Sequence, residues 1–204
     1  PTAADAPPSR LRDWVMLAKP GITITNMMTA AAGLWLAPVD LSFLTTIAAL
    51  GGTGLLVAGS GAFNQVLERD TDAYMKRTST RPLPAGRRSV AEALAVGTVE
   101  VALGMWLLGA FVNAPTAWLG LLATVVYVLV YTPLKRRSSL AIPLGGIAGA
   151  MPPAIGWTAA TGTFDLGALA LFNVLFWWQM PHFLGIALYR AHDYQNAGLQ
   201  VAPG

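Results

Sequence analysis

Apolar residues fall into six long stretches along this chain, at about 22–39, 43–67, 90–112, 114–131, 140–160 and 166–188. Short connections separate them, apart from one long polar segment at 68–89. A helix rises about 1.5 Å per residue and a bilayer's hydrocarbon core is about 30 Å thick, so a crossing takes about 20 mainly apolar residues. The pattern predicts an all-α fold, a polytopic transmembrane helix bundle with six spans. Residues 1–10 are small, Pro-rich and polar, without the basic-then-apolar order of a secretory signal, and read as a disordered tail. The remainder, 11–204, reads as one membrane domain.

Composition agrees with a lipid solvent, because 54% of the residues are hydrophobic and 11% charged, more apolar surface than one water-soluble core of this size can hide. All 13 Lys and Arg fall on one side of the predicted helices, before the first, after the second, after the fourth and after the sixth. The opposite connections carry only Asp40 and Asp165. Lys and Arg favour the cytoplasmic face, so this bias predicts a cytoplasmic N-terminus with six crossings. It also accounts for the net charge of +3 without a nucleic-acid partner. With no cysteine, disulfides and thiolate chemistry are excluded. Gly-rich positions such as Gly52, Gly59, Gly145 and Gly149 favour close helix approach in lipid. Pro152 and Pro153, inside the fifth stretch, predict a kink or break that shapes a pocket.

The chemistry concentrates where the second helix ends. In a continued helix Asn64, Glu68 and Asp72 stack on one face at i, i+4 and i+8, with Asp70 on the other. Three oxygen side chains in a column suit a hard cation. Mg²⁺ takes one or two carboxylates and completes its shell with water and phosphate oxygens, which points to a phosphorylated ligand. Lys76, Arg77 and Arg81 follow within ten positions as phosphate partners. Tyr131 and Lys135, again i, i+4, reach the same level from another helix. A charged cluster after a membrane helix also serves as a solvated topological loop, and Lys135, Arg136 and Arg137 alone read as membrane anchors; it is the conjunction that argues for a site.

Other polar residues within the spans are fewer. His182 reads either as a packing element or as a group that contacts a cofactor-like acceptor, whereas His192 reads as solvated. Glu100, in mid-span, is expected to be protonated or paired. Asn26, Asn173 and Gln179 read as interhelical hydrogen-bond partners, with pocket lining as the alternative.

The column resembles the first signature of the UbiA superfamily of intramembrane prenyltransferases. Several segments are similar to its haem O synthase branch: Lys19-Pro20, the run Asp72 to Gly86, Tyr131-Thr132-Pro133-Leu134-Lys135-Arg136, Pro152-Pro153-Ala154-Ile155-Gly156-Trp157 and Trp178-Gln179-Met180-Pro181-His182-Phe183. The resemblance extends over nearly the whole chain from Leu11. It implies transfer of a farnesyl group from farnesyl diphosphate to a vinyl group of protohaem IX, dependent on Mg²⁺. Asn64, Glu68, Asp72 and Asp193 would be the metal and catalytic positions with Lys135. Lys76, Arg77, Arg81 and Tyr131 would bind substrate, and His182 and Asn26, by their own positions in the spans, complete the candidate substrate contacts. A bacterial cytoplasmic or mitochondrial inner membrane is the implied location. A haem A synthase or a cytochrome oxidase assembly protein is the implied partner. Two departures stand out. Glu68 occupies a position where the superfamily usually has Asp, and the second acidic region has the single carboxylate Asp193. A nine-helix family fold further implies that about three helices lie beyond a truncated chain. Rival readings are a quinone- or chlorophyll-type prenyltransferase and a non-catalytic haem-binding or carrier protein.

Overall fold

The computed structural model describes residues 10–75, 77–138 and 140–189, and every regular element among them is helical. Short α1 (Arg10–Leu17) leads into α2 (Pro20–Leu36), α3 (Phe43–Asp72) and α4 (Val90–Phe111). Helix α5 (Ala114–Leu134) follows, then α6 (Ala141–Thr161) and α7 (Leu166–Tyr189). The six predicted stretches correspond to α2 through α7. Four of these helices, α3, α4, α5 and α7, are long and apolar enough to cross a membrane by length and composition. Helix α2 has 17 residues and reaches only about 26 Å. Helix α6 buries 13 of its 21 residues against protein, so it needs less hydrophobic surface than a lipid-facing helix. Bare apolar side chains such as Trp35, Phe43 and Leu166, each more than 80% exposed, lie beside the basic-free connections, where an aromatic belt meets lipid.

Glycine sets how closely the helices approach. A Cβ on Gly59 would lie 2.7 Å from the Gly97 carbonyl oxygen, and one on Gly104 2.9 Å from that of Gly52, so α3 and α4 meet backbone to backbone at two levels. A Cβ on Gly156 would run into the Ala30 carbonyl, and one on Gly33 into that of Pro153. In lipid, where apolar transfer does not drive helices together, such close van der Waals contact supplies the association.

Helix α6 continues through Pro152 and Pro153, so of the expected kink or break the break does not occur. Each proline removes one amide donor, the partners of the Ala148 and Gly149 carbonyls, but small residues one turn earlier leave room for the rings. Ala148, Gly149 and Pro152 all border the central cavity. Helix α5 departs from regular form in the other direction, with a π-helical stretch at Val126–Tyr131. At 30 residues α3 is about 45 Å long, exceeding the hydrocarbon thickness by several turns. Its final turns carry the acidic column.

Candidate active site

A four-residue step keeps side chains close to one helical face, and this face of α3 points inward. Asn64, Glu68 and Asp72 are buried, at 1%, 6% and 1% exposure, while Asp70 is exposed and pairs with Arg69 at 3.0 Å. Each column residue meets a basic group from a different part of the chain. Lys19 Nζ donates to Asn64 Oδ1. Lys135 Nζ donates to Glu68 Oε1 at 3.1 Å, and Arg81 Nη1 to Asp72 Oδ2 at 2.6 Å. Asn64 Nδ2 in turn donates to Thr132 Oγ1 at 2.9 Å. Asp72 Oδ1 is buried without a hydrogen-bond partner among the described residues. Two carboxylates and an amide therefore face three basic groups, with an oxygen lone pair of Asp72 in reserve.

Local backbone chemistry places those cations. Lys19 has a left-handed φ of 47°, uncommon for a residue with a Cβ, in the joint between α1 and α2. The following Pro20 disfavours the right-handed helical region at Lys19, which interrupts the helix there. Gln65 Nε2 donates to the Met16 and Leu17 carbonyls at 2.9 Å each, tying the end of α1 to the turn that bears Asn64. Removal from water lowers the Lys19 ammonium from 10.5 to about 7, partly opposed by the negative charge of Glu68. Arg81 emerges from a loop whose start is held by Thr78 Oγ1 donating to the Asp72 carbonyl at 3.0 Å. In α5, Thr132 Oγ1 donates to the Tyr127 carbonyl at 2.8 Å, spanning the π-helical stretch. That stretch lets Tyr131 line the cavity while the next residue, Thr132, meets Asn64.

Next to the column lies a cavity of about 680 Å³, bounded by α2, α3, α5, α6 and α7. Leu56, Val57, Ile155 and Leu175 contribute its apolar wall, and Lys19, Tyr127 and Tyr131 border its charged end. The wall hydroxyls of Thr25, Thr53 and Ser60 donate to carbonyls of their own helices, leaving a surface with little hydrogen-bonding demand. The Tyr127 and Tyr131 rings stack with centroids 5.5 Å apart.

Of the sequence candidates, the fold gathers Asn64, Glu68, Asp72, Arg81 and Lys135 into one cluster. Tyr131, Asn26 and His182 line the cavity, His182 stacked on Trp178 at 5.0 Å. Arg77 is exposed and is not brought to the column. Lys76, His192 and Asp193 lie outside the described residues. The expectation of interhelical bonds from Asn26, Asn173 and Gln179 is corrected: each donates to the carbonyl four residues earlier in its own helix. Glu100, expected to be protonated or paired, keeps a buried Oε2 without a hydrogen-bond partner among the described residues. Sequence reasoning treated Lys19 as a topological charge and passed over Thr132 and Gln65. The Lys19-Pro20 step was the available signal for the first, and the other two carry none.

Buried charge at the mouth of an apolar cavity, within a bundle of membrane-length helices, defines a multi-pass integral membrane protein with a built polar site. Residues 26–203 match the UbiA prenyltransferase family, and the chain belongs to that family. It is 46% identical over 198 residues to a protoheme IX farnesyltransferase of Anaeromyxobacter dehalogenans, covering 97% of this chain and 67% of that protein. To the protein of the same description from Myxococcus xanthus it is 43% identical, covering 98% and 68%. The chain thus spans about two thirds of the length of these relatives. Among solved structures, a UbiA homologue from Archaeoglobus fulgidus bound to DMAPP and Mg²⁺ superimposes with a TM-score of 0.73 at 18% identity, covering 94% of this chain and 68% of that one. A UbiA homologue from Aeropyrum pernix gives 0.74 at 23%, covering 87% and 66%. These structural likenesses establish the fold.

Proposed function

We propose that this prenyltransferase moves a farnesyl group from farnesyl diphosphate to a vinyl group of protohaem IX, with Mg²⁺ and the diphosphate held at the α3 column. The carrying observation is the column itself: buried, charge-compensated, and bordering an apolar cavity through Lys19. Supporting it are the descriptions of the relatives and the Mg²⁺ and DMAPP in the Archaeoglobus homologue. The basic-rich side of the bundle is assigned to the cytoplasm.

Asn64 Oδ1, Glu68 and Asp72 would hold Mg²⁺, a sparse set of hard oxygen donors that suits an ion completing its shell with water and phosphate. Asp72 Oδ1, buried without a hydrogen-bond partner among the described residues, fits such a ligand. Bound there, Mg²⁺ would neutralise charge on the diphosphate and make it a better leaving group. The chain supplies the remainder. Lys19, Arg81 and Lys135 exchange their column partners for diphosphate oxygens, so the mouth keeps its charge balance as substrate enters. The allylic C–O bond breaks with its electron pair leaving on the diphosphate. Those three cations stabilise the departing charge in a site already oriented for it. Faces of Tyr127 and Tyr131 stabilise positive charge developing on carbon. The cavity wall receives the isoprenoid and withholds water from the allylic carbon until the new C–C bond forms at the outer vinyl carbon. The positive charge left on the inner vinyl carbon is then discharged by a water molecule that bonds there and gives up a proton.

The test is binding of farnesyl thiodiphosphate, a non-hydrolysable analogue, to the chain in lipid nanodiscs. Tight binding that requires Mg²⁺ and disappears in Asp72→Ala is the expected result. Metal-independent binding would instead indicate a carrier or haem-binding protein. Mass spectrometry of products with protohaem or a quinone offered together then assigns the acceptor.

A further inference from the structure

Arg81 must direct its guanidinium into the column from a loop, so ordering it on binding costs backbone freedom as well as side-chain freedom unless the loop backbone is already fixed. The loop 73–89 contains a device for this that involves neither the column nor the cavity. Arg87 Nε donates to Asp13 Oδ1 and Oδ2 at 3.1 and 3.3 Å, and its Nη2 donates to Asp13 Oδ1 at 3.0 Å. The same Nη2 donates to the Thr80 carbonyl oxygen at 2.9 Å. That carbonyl belongs to the peptide whose nitrogen is Arg81. One guanidinium therefore connects a carboxylate of α1 to the peptide unit from which Arg81 departs.

Neighbouring contacts make α1 a firm base. Asp13 is 4% exposed, and the Arg88 guanidinium lies 4.0 Å from the Trp14 ring. Leu17 packs with Leu83, Ala62 and Ala93, joining α1, the loop, α3 and α4 in one apolar cluster. The Arg87 and Arg88 amides both donate to the Pro82 carbonyl, at 2.9 and 3.2 Å, closing the loop on itself. A charge pair this removed from water is weak evidence for stability by itself, since desolvation offsets most of the attraction. Its geometry has a different consequence, because Asp13 directs Arg87 and Arg87 fixes the 80–81 peptide.

We propose that Asp13 and Arg87 are positioning residues for the diphosphate site, acting through Arg81. This rests on the reading of the column as a diphosphate site. The two residues touch no substrate, and their effect is to pre-orient the cation that does.

The experiment measures two ligands on the chain in nanodiscs, farnesyl thiodiphosphate with Mg²⁺ and farnesol, which presents the isoprenoid without the diphosphate. Arg87→Met is expected to weaken the thiodiphosphate about tenfold and leave farnesol unchanged. In an Arg81→Met background the same substitution should change thiodiphosphate affinity by less than about twofold, since the side chain it serves is gone. Asp13→Asn, isosteric with the carboxylate, should shift affinity in the same direction and serves as the second variant should Arg87→Met fail to fold. Equal weakening of both ligands, or an undiminished Arg87→Met effect without Arg81, reduces the pair to a structural brace and overturns the proposal. A wild-type chain with no Mg²⁺-dependent thiodiphosphate binding removes the diphosphate reading, and the proposal with it, whereas loss confined to the variants bears on the positioning pair alone.

Discussion

Helix α3 has two halves that are held in place by opposite means. Its first half meets α4 through Gly52 and Gly59, where the absence of side chains lets backbones touch. Its last turns bury Asn64, Glu68 and Asp72, and each is matched by a basic group from outside the helix. The glycine half depends on volume, because a Cβ at Gly52 or Gly59 would meet α4 at 2.7 Å. The charged half depends on balance, because a buried ion left without its partner is far more costly than the pair. Adding atoms should therefore damage the bundle, and removing charge should damage the mouth.

Four measurements break or sharpen that contrast. Gly156→Val pushes a branched side chain against the α2 backbone at Ala30 and should destabilise the bundle by about 3 kcal/mol, read as lost thermal stability in detergent. Asp72→Asn keeps the volume and removes the charge, so Mg²⁺-dependent affinity for farnesyl thiodiphosphate should fall about a hundredfold while the helical circular dichroism signal persists. A smaller effect comes from Lys19. Its ammonium is held at about 7 against an ordinary 10.5, so between those values the unfolded chain binds the additional proton. Stability should rise with pH across that window, and Lys19→Met should flatten the rise; an unchanged slope in the variant refutes the assignment. Smallest is Ser89→Ala. It removes the acceptor for the Glu92 amide at 3.1 Å in the α4 capping box and should cost about 1 kcal/mol by denaturant titration.

The length of apolar runs and the one-sided placement of Lys and Arg were enough to locate helices α2 to α7, because both follow from the thickness and charge preference of a bilayer. The four-residue spacing of Asn64, Glu68 and Asp72 was enough to put them on one face, because helical geometry is local. Which way that face turns was a matter for the tertiary structure. So was the meeting of Lys19, Arg81 and Lys135 around it, since their approach depends on the α1–α2 joint, a folded loop and an α5 π-helical stretch with no compositional mark. The same holds for Pro152 and Pro153. Their effect on α6 was decided by the small residues one turn earlier and by the close packing of α2, interactions between parts of the chain that no local window contains. Sequence patterns determine elements through short-range sterics and solvent preference, whereas a site assembled from distant segments depends on how those elements pack.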